Sequence, residues 1–188
     1  MTIRPICITG NPVLHTRAQE VTVFDDELKM LVQDMYETMD AAPGVGLAAP
    51  QIGVNQRIFV YDWDAEDGTP QRGVVINPIL LISEISSDEP DWEQDSEGCL
   101  SLPGERFPLK WAEKATITGV DLDQNPVHFE AEGWFARIFQ HEFDHLDGTL
   151  YVDRLIDEYK KEVAEIIQER GWGKDGLTWL PGQEKLEG

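Results

Sequence analysis

Apolar positions along the chain switch between two spacings. Over 25–39, Leu28, Leu31, Val32, Met35 and Met39 recur three and four positions apart, which puts them on one face of a helix. Asp25 is placed to cap its first turn and Pro43-Gly44 to stop it. Residues 44–53 are glycine-rich and small. Segments 57–61 and 74–76 are β-branched or aromatic and predict strands, and Asn77-Pro78 breaks the second from the apolar run 79–82. Segments 115–120 and 127–130 predict a strand pair joined by the turn-like Asp123-Gln124-Asn125-Pro126. Helical spacing returns over 133–145, where Phe135, Ile138, Phe139 and Phe143 mark a buried face and Gly148 follows as a stop. A last helix is predicted over 153–170, with Leu155, Ile156, Tyr159, Val163, Ile166 and Ile167 inward. Strands grouped together, with helices at the edges and no regular βαβ alternation, predict an α+β fold.

Composition narrows this picture. A chain of 188 residues, 41% hydrophobic, with six Trp and seven Phe, is large enough for one domain with a buried core. No internal repeat or long linker divides it, so 1–188 is expected to be a single domain. The net charge of −21, from 36 acids against 15 bases, argues against tight nucleic-acid binding, which needs clustered cations. Seven acids, Glu84, Asp88, Glu89, Asp91, Glu93, Asp95 and Glu97, fall within 84–97 without one base, around Pro90. That run predicts an exposed loop. If it borders a binding cleft, it would favour cationic ligands. No stretch of about 18 apolar residues occurs, so no membrane helix is expected. The start, Met1-Thr2-Ile3-Arg4-Pro5, lacks the apolar run of a secretory signal. Two cysteines, Cys7 and Cys99, make a poor disulfide framework for this length, so a cytoplasmic protein with reduced thiols is expected. Cys7, within Ile6-Cys7-Ile8, is expected to be buried.

Candidate chemistry centres on His141-Glu142-Phe143-Asp144-His145. On a helix, positions i and i+4 share a face, so both imidazoles can bind one metal ion with Glu142 beside it as an acid/base group. A catalytic site of this type needs a third protein ligand and an open position. In one metalloprotease pattern that ligand is a His six residues after the second; here the position holds Tyr151. Glu158, Glu162 or Glu165 would serve in another protease pattern, and Cys99 offers a thiolate suited to Zn²⁺ or Fe²⁺. Asp144 is expected to orient a ligand or to pair with Arg106 or Lys110. His15 and His128 lie outside these motifs.

Three blocks in order, Gly44-Val45-Gly46-Leu47-Ala48-Ala49-Pro50-Gln51, Glu97-Gly98-Cys99-Leu100-Ser101 and His141-Glu142-Phe143-Asp144-His145-Leu146-Asp147-Gly148, resemble the three signature motifs of the peptide deformylase family. The resemblance runs from about Ile6 to about Tyr151. It implies a hydrolase that removes the formyl group from N-formylmethionyl peptides and nascent chains, meeting the ribosome transiently. It implies antiparallel sheets around a central metal-binding helix, flanked by an N-terminal and a C-terminal helix. Cys99, His141 and His145 would hold the metal, Fe²⁺ in the cell, with Zn²⁺, Ni²⁺ or Co²⁺ as alternatives. Glu142 would be the acid/base, and the Gln51 side chain and Leu100 amide would hold the formyl oxygen. Gly44, Val45 and Gly46 would line the peptide, with Arg106 nearby. Residues 171–188 look like a C-terminal extension found in one bacterial branch of the family.

Overall fold

Of the strand expected over 57–61, residues 58–61 lie inside a five-stranded sheet, and Arg57 precedes it. The fold is taken from a computed structural model that describes residues 2–42, 44–64, 68 and 70–183. In chain order the elements are β1 (Ile6–Cys7), α1 (Asp26–Ala41), β2 (Gly46–Ala48), β3 (Ile58–Asp64), β4 (Pro70–Ile82), β5 (Ser96–Cys99), β6 (Leu102–Pro108), β7 (Lys114–Val120), β8 (Pro126–Glu132), α2 (Gly133–Leu146), α3 (Asp157–Glu169) and β9 (Thr178–Trp179). The large sheet has the order β2-β3-β4-β7-β8, every pair antiparallel. Two smaller antiparallel pairs, β1-β9 and β5-β6, complete the α+β architecture.

Strand alternation explains why the sheet is covered on both faces. Ile58 pairs with Ile76, Phe59 with Val75 and Val60 with Val74. Ile58, Val60, Val74 and Ile76 then share a core with Val32, Met35 and Met39 of α1. Phe59, Tyr61, Val75 and Ile117 share another with Ala136, Phe139 and Leu146 of α2. Both sides are apolar, so 58–61 reads as a continuous run instead of an alternating one. Each such side chain removed from water contributes roughly 1.5–3 kcal/mol. The β5-β6 hairpin and α3 build a third core, with Cys99, Leu102, Phe107, Tyr151, Leu155 and Val163. Helix α2 therefore buries residues from Ala136 to Leu146 that include polar ones, as a helix enclosed by neighbours does.

Asp25 caps α1 through bonds from the Glu27 and Leu28 amides, both 3.0 Å, as expected. Gly44 follows the helix, and its N–H donates to the Met39 carbonyl at 3.0 Å; Pro43 lies outside the described residues. Cys7 is buried, as expected. Three expectations need correction. Asn77-Pro78 does not end a strand: β4 continues through a register shift between Ile76 and Ile79. Asn77 takes φ 51, a region its short amide side chain tolerates, and that side chain bonds both the N–H (2.8 Å) and carbonyl (2.9 Å) of Val21. The predicted last helix is two pieces: a 3-10 turn at Tyr151–Arg154, then α3. Leu155 and Ile156 between them adopt extended ψ values of 158°. The acidic run is not wholly an exposed loop, because Ser96–Cys99 forms β5, and Asp95 and Glu97 are buried. Past α3 the chain folds back. The Gly173 N–H donates to the Thr9 carbonyl at 3.1 Å, Leu177 accepts from Ile8 at 3.0 Å, and β9 pairs with β1. Residues 184–188 of the extension lie outside the described residues.

Candidate metal centre

Helical spacing puts His141 and His145 on one face of α2, with ring centroids 5.0 Å apart. The β5-β6 hairpin brings Cys99 over that face, its Sγ 3.3 Å from His145 Nε2. One ligand atom from each of the three residues lies within 4.8 Å of the others. No second such group of three or more His, Cys, Asp or Glu occurs among the described residues. Glu158, Glu162 and Glu165 are exposed on α3 and outside the cluster. Tyr151 is no ligand either; its ring stacks on His141, centroids 5.8 Å apart at 23°.

A cleft of about 570 Å³ opens over the cluster, lined by Gly44, Val45, Gly46, Gln51, Leu100, Arg106 and Glu142 together with Cys99 and His141. The structure thus gathers the sequence-predicted site residues around one cavity; His145 alone lies beneath the lining, fully buried. Gln51 sits on a 3-10 turn after β2, its Oε1 accepting from the Ala48 N–H at 2.9 Å. Its Nε2 points to Cys99 Sγ (3.7 Å) and Ser101 Oγ (3.4 Å). A Cβ at Gly46 would run into the Glu142 carboxylate, so any larger residue there would displace that side chain. Arg106 donates to the Ser96 carbonyl at 3.2 Å. Trp63 and Trp134, stacked at 21°, also line the cleft and were not singled out by sequence reasoning.

The donor set fits a divalent ion. A thiolate with two imidazoles suits Zn²⁺, Fe²⁺, Co²⁺ and Ni²⁺. His141 Nδ1 is engaged by Glu97 Oε1 at 2.9 Å, which fixes the ring and leaves Nε2 for a metal. Burial would strip a proton from His141, yet the adjacent Cys99 and Glu97 raise its pKa well above the ordinary value. Burial, reinforced by His141, holds His145 well below the ordinary value and so neutral. Burial pushes Glu142 up to about 7, with His141 opposing and Glu97 adding. Glu142 Oε2 is buried without a protein partner, and such an orphan is expected to meet a ligand or water.

Glu97 was missed, because it was counted among the solvated acids although it stands inside the motif Glu97-Gly98-Cys99-Leu100-Ser101. It is buried, and it also accepts from the Trp111 indole. Asp144 pairs with Arg154, in two bonds, and with neither Arg106 nor Lys110. Arg154 follows on the 3-10 turn behind α2, whereas Lys110 is held by Asp95 at 2.7 Å and Arg106 lies on the cleft rim.

Among the described residues the cluster offers three protein donors, where a closed structural site has four, and it lies under an open cleft; this fits a metal enzyme with room for a reacting molecule. The chain belongs to the peptide deformylase family. The family model described as Polypeptide deformylase matches residues 3–161. Peptide deformylases of Mycolicibacterium smegmatis and Mycolicibacterium paratuberculosis are 50% and 52% identical to it, each alignment covering 97% of this chain and 96% of the relative. The solved peptide deformylase of Thermus thermophilus is 38% identical, with a TM-score of 0.76 over 89% of this chain and 94% of its own. That of Legionella pneumophila is 34% identical, with a TM-score of 0.77 over 90% and 95%. Enzymes of this family remove the formyl group from N-formylmethionyl peptides, and the chain is a metal-dependent enzyme of that kind.

Proposed function

We propose that Cys99, His141 and His145 hold one divalent ion, Fe²⁺ in the cell with Zn²⁺, Ni²⁺ or Co²⁺ able to replace it. The observation that carries this reading is the convergence of the three ligand atoms within 4.8 Å at the floor of the cleft. A bound ion of this kind supplies hydroxide near neutral pH, by lowering the pKa of water toward about 7, and polarises the formyl carbonyl.

Glu142 accepts the proton and passes it to the departing methionine amine. Its burial supports this, since a carboxylate raised to about 7 both takes and gives a proton near neutral pH. Gln51 Nε2 and the Leu100 N–H donate to the formyl oxygen as negative charge develops there. Gly44, Val45 and Gly46 hold the peptide as an added strand; β2 is the terminal strand of its sheet, and these residues line the cleft. Arg106, which also lines the cleft, contacts the peptide. Formyl is chosen over acetyl because a hydrogen fits where a methyl does not. The chain acts as one domain over 1–188, with 171–188 as an extension of it. It works in the cytoplasm on nascent chains, meeting the ribosome transiently; among the described residues no helix is long and apolar enough to cross a membrane.

The test is formate release from formyl-Met-Ala-Ser by protein purified anaerobically and reloaded with Fe²⁺, Ni²⁺ or Zn²⁺ separately. Turnover with Fe²⁺ is expected to be highest. Cleavage of casein without formate release from any reloaded form would replace this reading with an endopeptidase.

A further inference from the structure

The family match ends at residue 161, yet the chain beyond it bonds to the turn that follows Cys99. Trp179 of β9 is 1% exposed and is among the largest fully buried side chains. Its indole Nε1–H donates to the Leu100 carbonyl at 2.8 Å. Next to it, the Thr9 N–H donates to the Ser101 carbonyl at 2.9 Å, and Gln51 Nε2 reaches Ser101 Oγ at 3.4 Å. Leu100 and Ser101 form the turn between β5 and β6, where the pairing register slips after Gly98. Its position is therefore set by partners outside the hairpin, and β9 provides one of them.

We propose that Trp179 is a positioning residue for deformylation, holding the Leu100–Ser101 peptide so that the Leu100 amide stays where the formyl oxygen is bound. The proposal rests on the reading of that amide as an oxyanion donor. Each residue has two soft dihedrals. With its carbonyl free, Leu100 is restrained on that side only through Ser101, which the Thr9 amide and Gln51 hold. With the carbonyl held by the indole and Cys99 held beside His145, its amide is anchored from both sides. A misplacement of 1 Å near reacting atoms costs up to about 10²-fold in rate, so loss of this one bond should register in turnover. Core filling alone does not require the N–H, since Trp179 pairs with Ile6 and its buried cluster is otherwise apolar, so a phenyl ring would also pack there.

The test uses Trp179→Phe and, as a near-isosteric control for packing, full-length protein with 3-benzothienylalanine at position 179, which keeps the ring shape and removes the N–H. Both are read zinc-loaded, for kcat and KM on formyl-Met-Ala-Ser, metal content, and ¹⁵N relaxation of the Leu100 and Ser101 amides. The expected result is a kcat about tenfold lower, KM within about twofold, one zinc per chain, and greater mobility confined to those amides. Val32→Ala, which opens the same core away from the turn, should lower Tm and leave kcat within about twofold. If neither the turn nor kcat changes, the proposal falls and the reading of Leu100 stands. If the turn loosens while kcat is unchanged, both fall. If Trp179→Phe does not fold, the isosteric variant decides alone.

Discussion

Helices α1 and α2 cover opposite faces of one sheet and have similar lengths, 16 and 14 residues, but they bury different kinds of side chain. α1 packs Leu28, Val32, Met35 and Met39 against the sheet. Its buried acid, Asp34, is answered by Arg4 in bonds of 2.9 and 2.7 Å. α2 packs Ala136, Ile138 and Phe139, yet it also buries Gln140, Glu142, Asp144 and His145. Gln140 is satisfied by both backbone groups of Ala112, and Asp144 by Arg154. Glu142 Oε2 and His145 Nδ1 are not satisfied by protein. Burying unpaired polar groups costs free energy. α1 is built for stability, whereas α2 gives some up to keep reactive groups dry and oriented.

The difference can be broken or sharpened by substitution. The largest effect is expected for Cys99→Ala, which leaves α2 with at most a weak two-His site; metal content should fall below stoichiometric and formate release approach background. Full occupancy with near-normal turnover would remove Cys99 from the ligand set. Next, Glu142→Ala should lower kcat by roughly 10²–10⁴-fold with metal retained. The metal-free variant should be as stable as the unaltered protein or more so, because a buried, unpartnered carboxylate is gone; thermal melts of both metal-free forms check this. A change in kcat under about threefold would exclude Glu142 from proton transfer. Glu97→Ala, which frees His141 Nδ1, should weaken metal binding by about 10- to 100-fold in chelator competition, and unchanged affinity would reduce Glu97 to a packing role.

On the other helix, Met35→Ala should cost about 2–5 kcal/mol in denaturant unfolding and leave kcat within about twofold. A tenfold loss of kcat there would erase the contrast between the helices. The smallest effect concerns charge. Of the seven acids in 84–97, Asp95 is paired with Lys110 and Arg137, Glu97 faces His141, and the exposed Glu84, Asp88, Glu89, Asp91 and Glu93 do not line the cleft. Exposed charges are screened over about 10 Å at 0.1 M salt. The kcat/KM values for formyl-Met-Ala-Lys and formyl-Met-Ala-Asp should therefore differ by less than about twofold at that salt, and a larger, salt-sensitive preference for Lys would restore electrostatic steering.

Local pattern carried a large part of this protein. The three-and-four spacing of α1, its Asp25 cap, the strand pair around Asp123-Gln124-Asn125-Pro126 and the i, i+4 histidines are all relations within a few residues. Backbone geometry converts such spacing directly into a shared face. The ordered motifs around Gln51, Cys99 and His141 were likewise legible from residue identity, and they sufficed to suggest the family. Tertiary structure decided which members of a local group were inside. Glu97 and Glu93 look alike in an acidic run, but one lies against His141 and the other in solvent. It also chose partners: Arg154 for Asp144, Val21 for Asn77, and Trp179 for the Leu100 carbonyl. Trp179 and Leu100 are 79 residues apart, and Cys99 and His145 are 46 apart. Spacing along the chain fixes geometry only as far as one regular element extends; contacts between elements depend on how several cores pack at once.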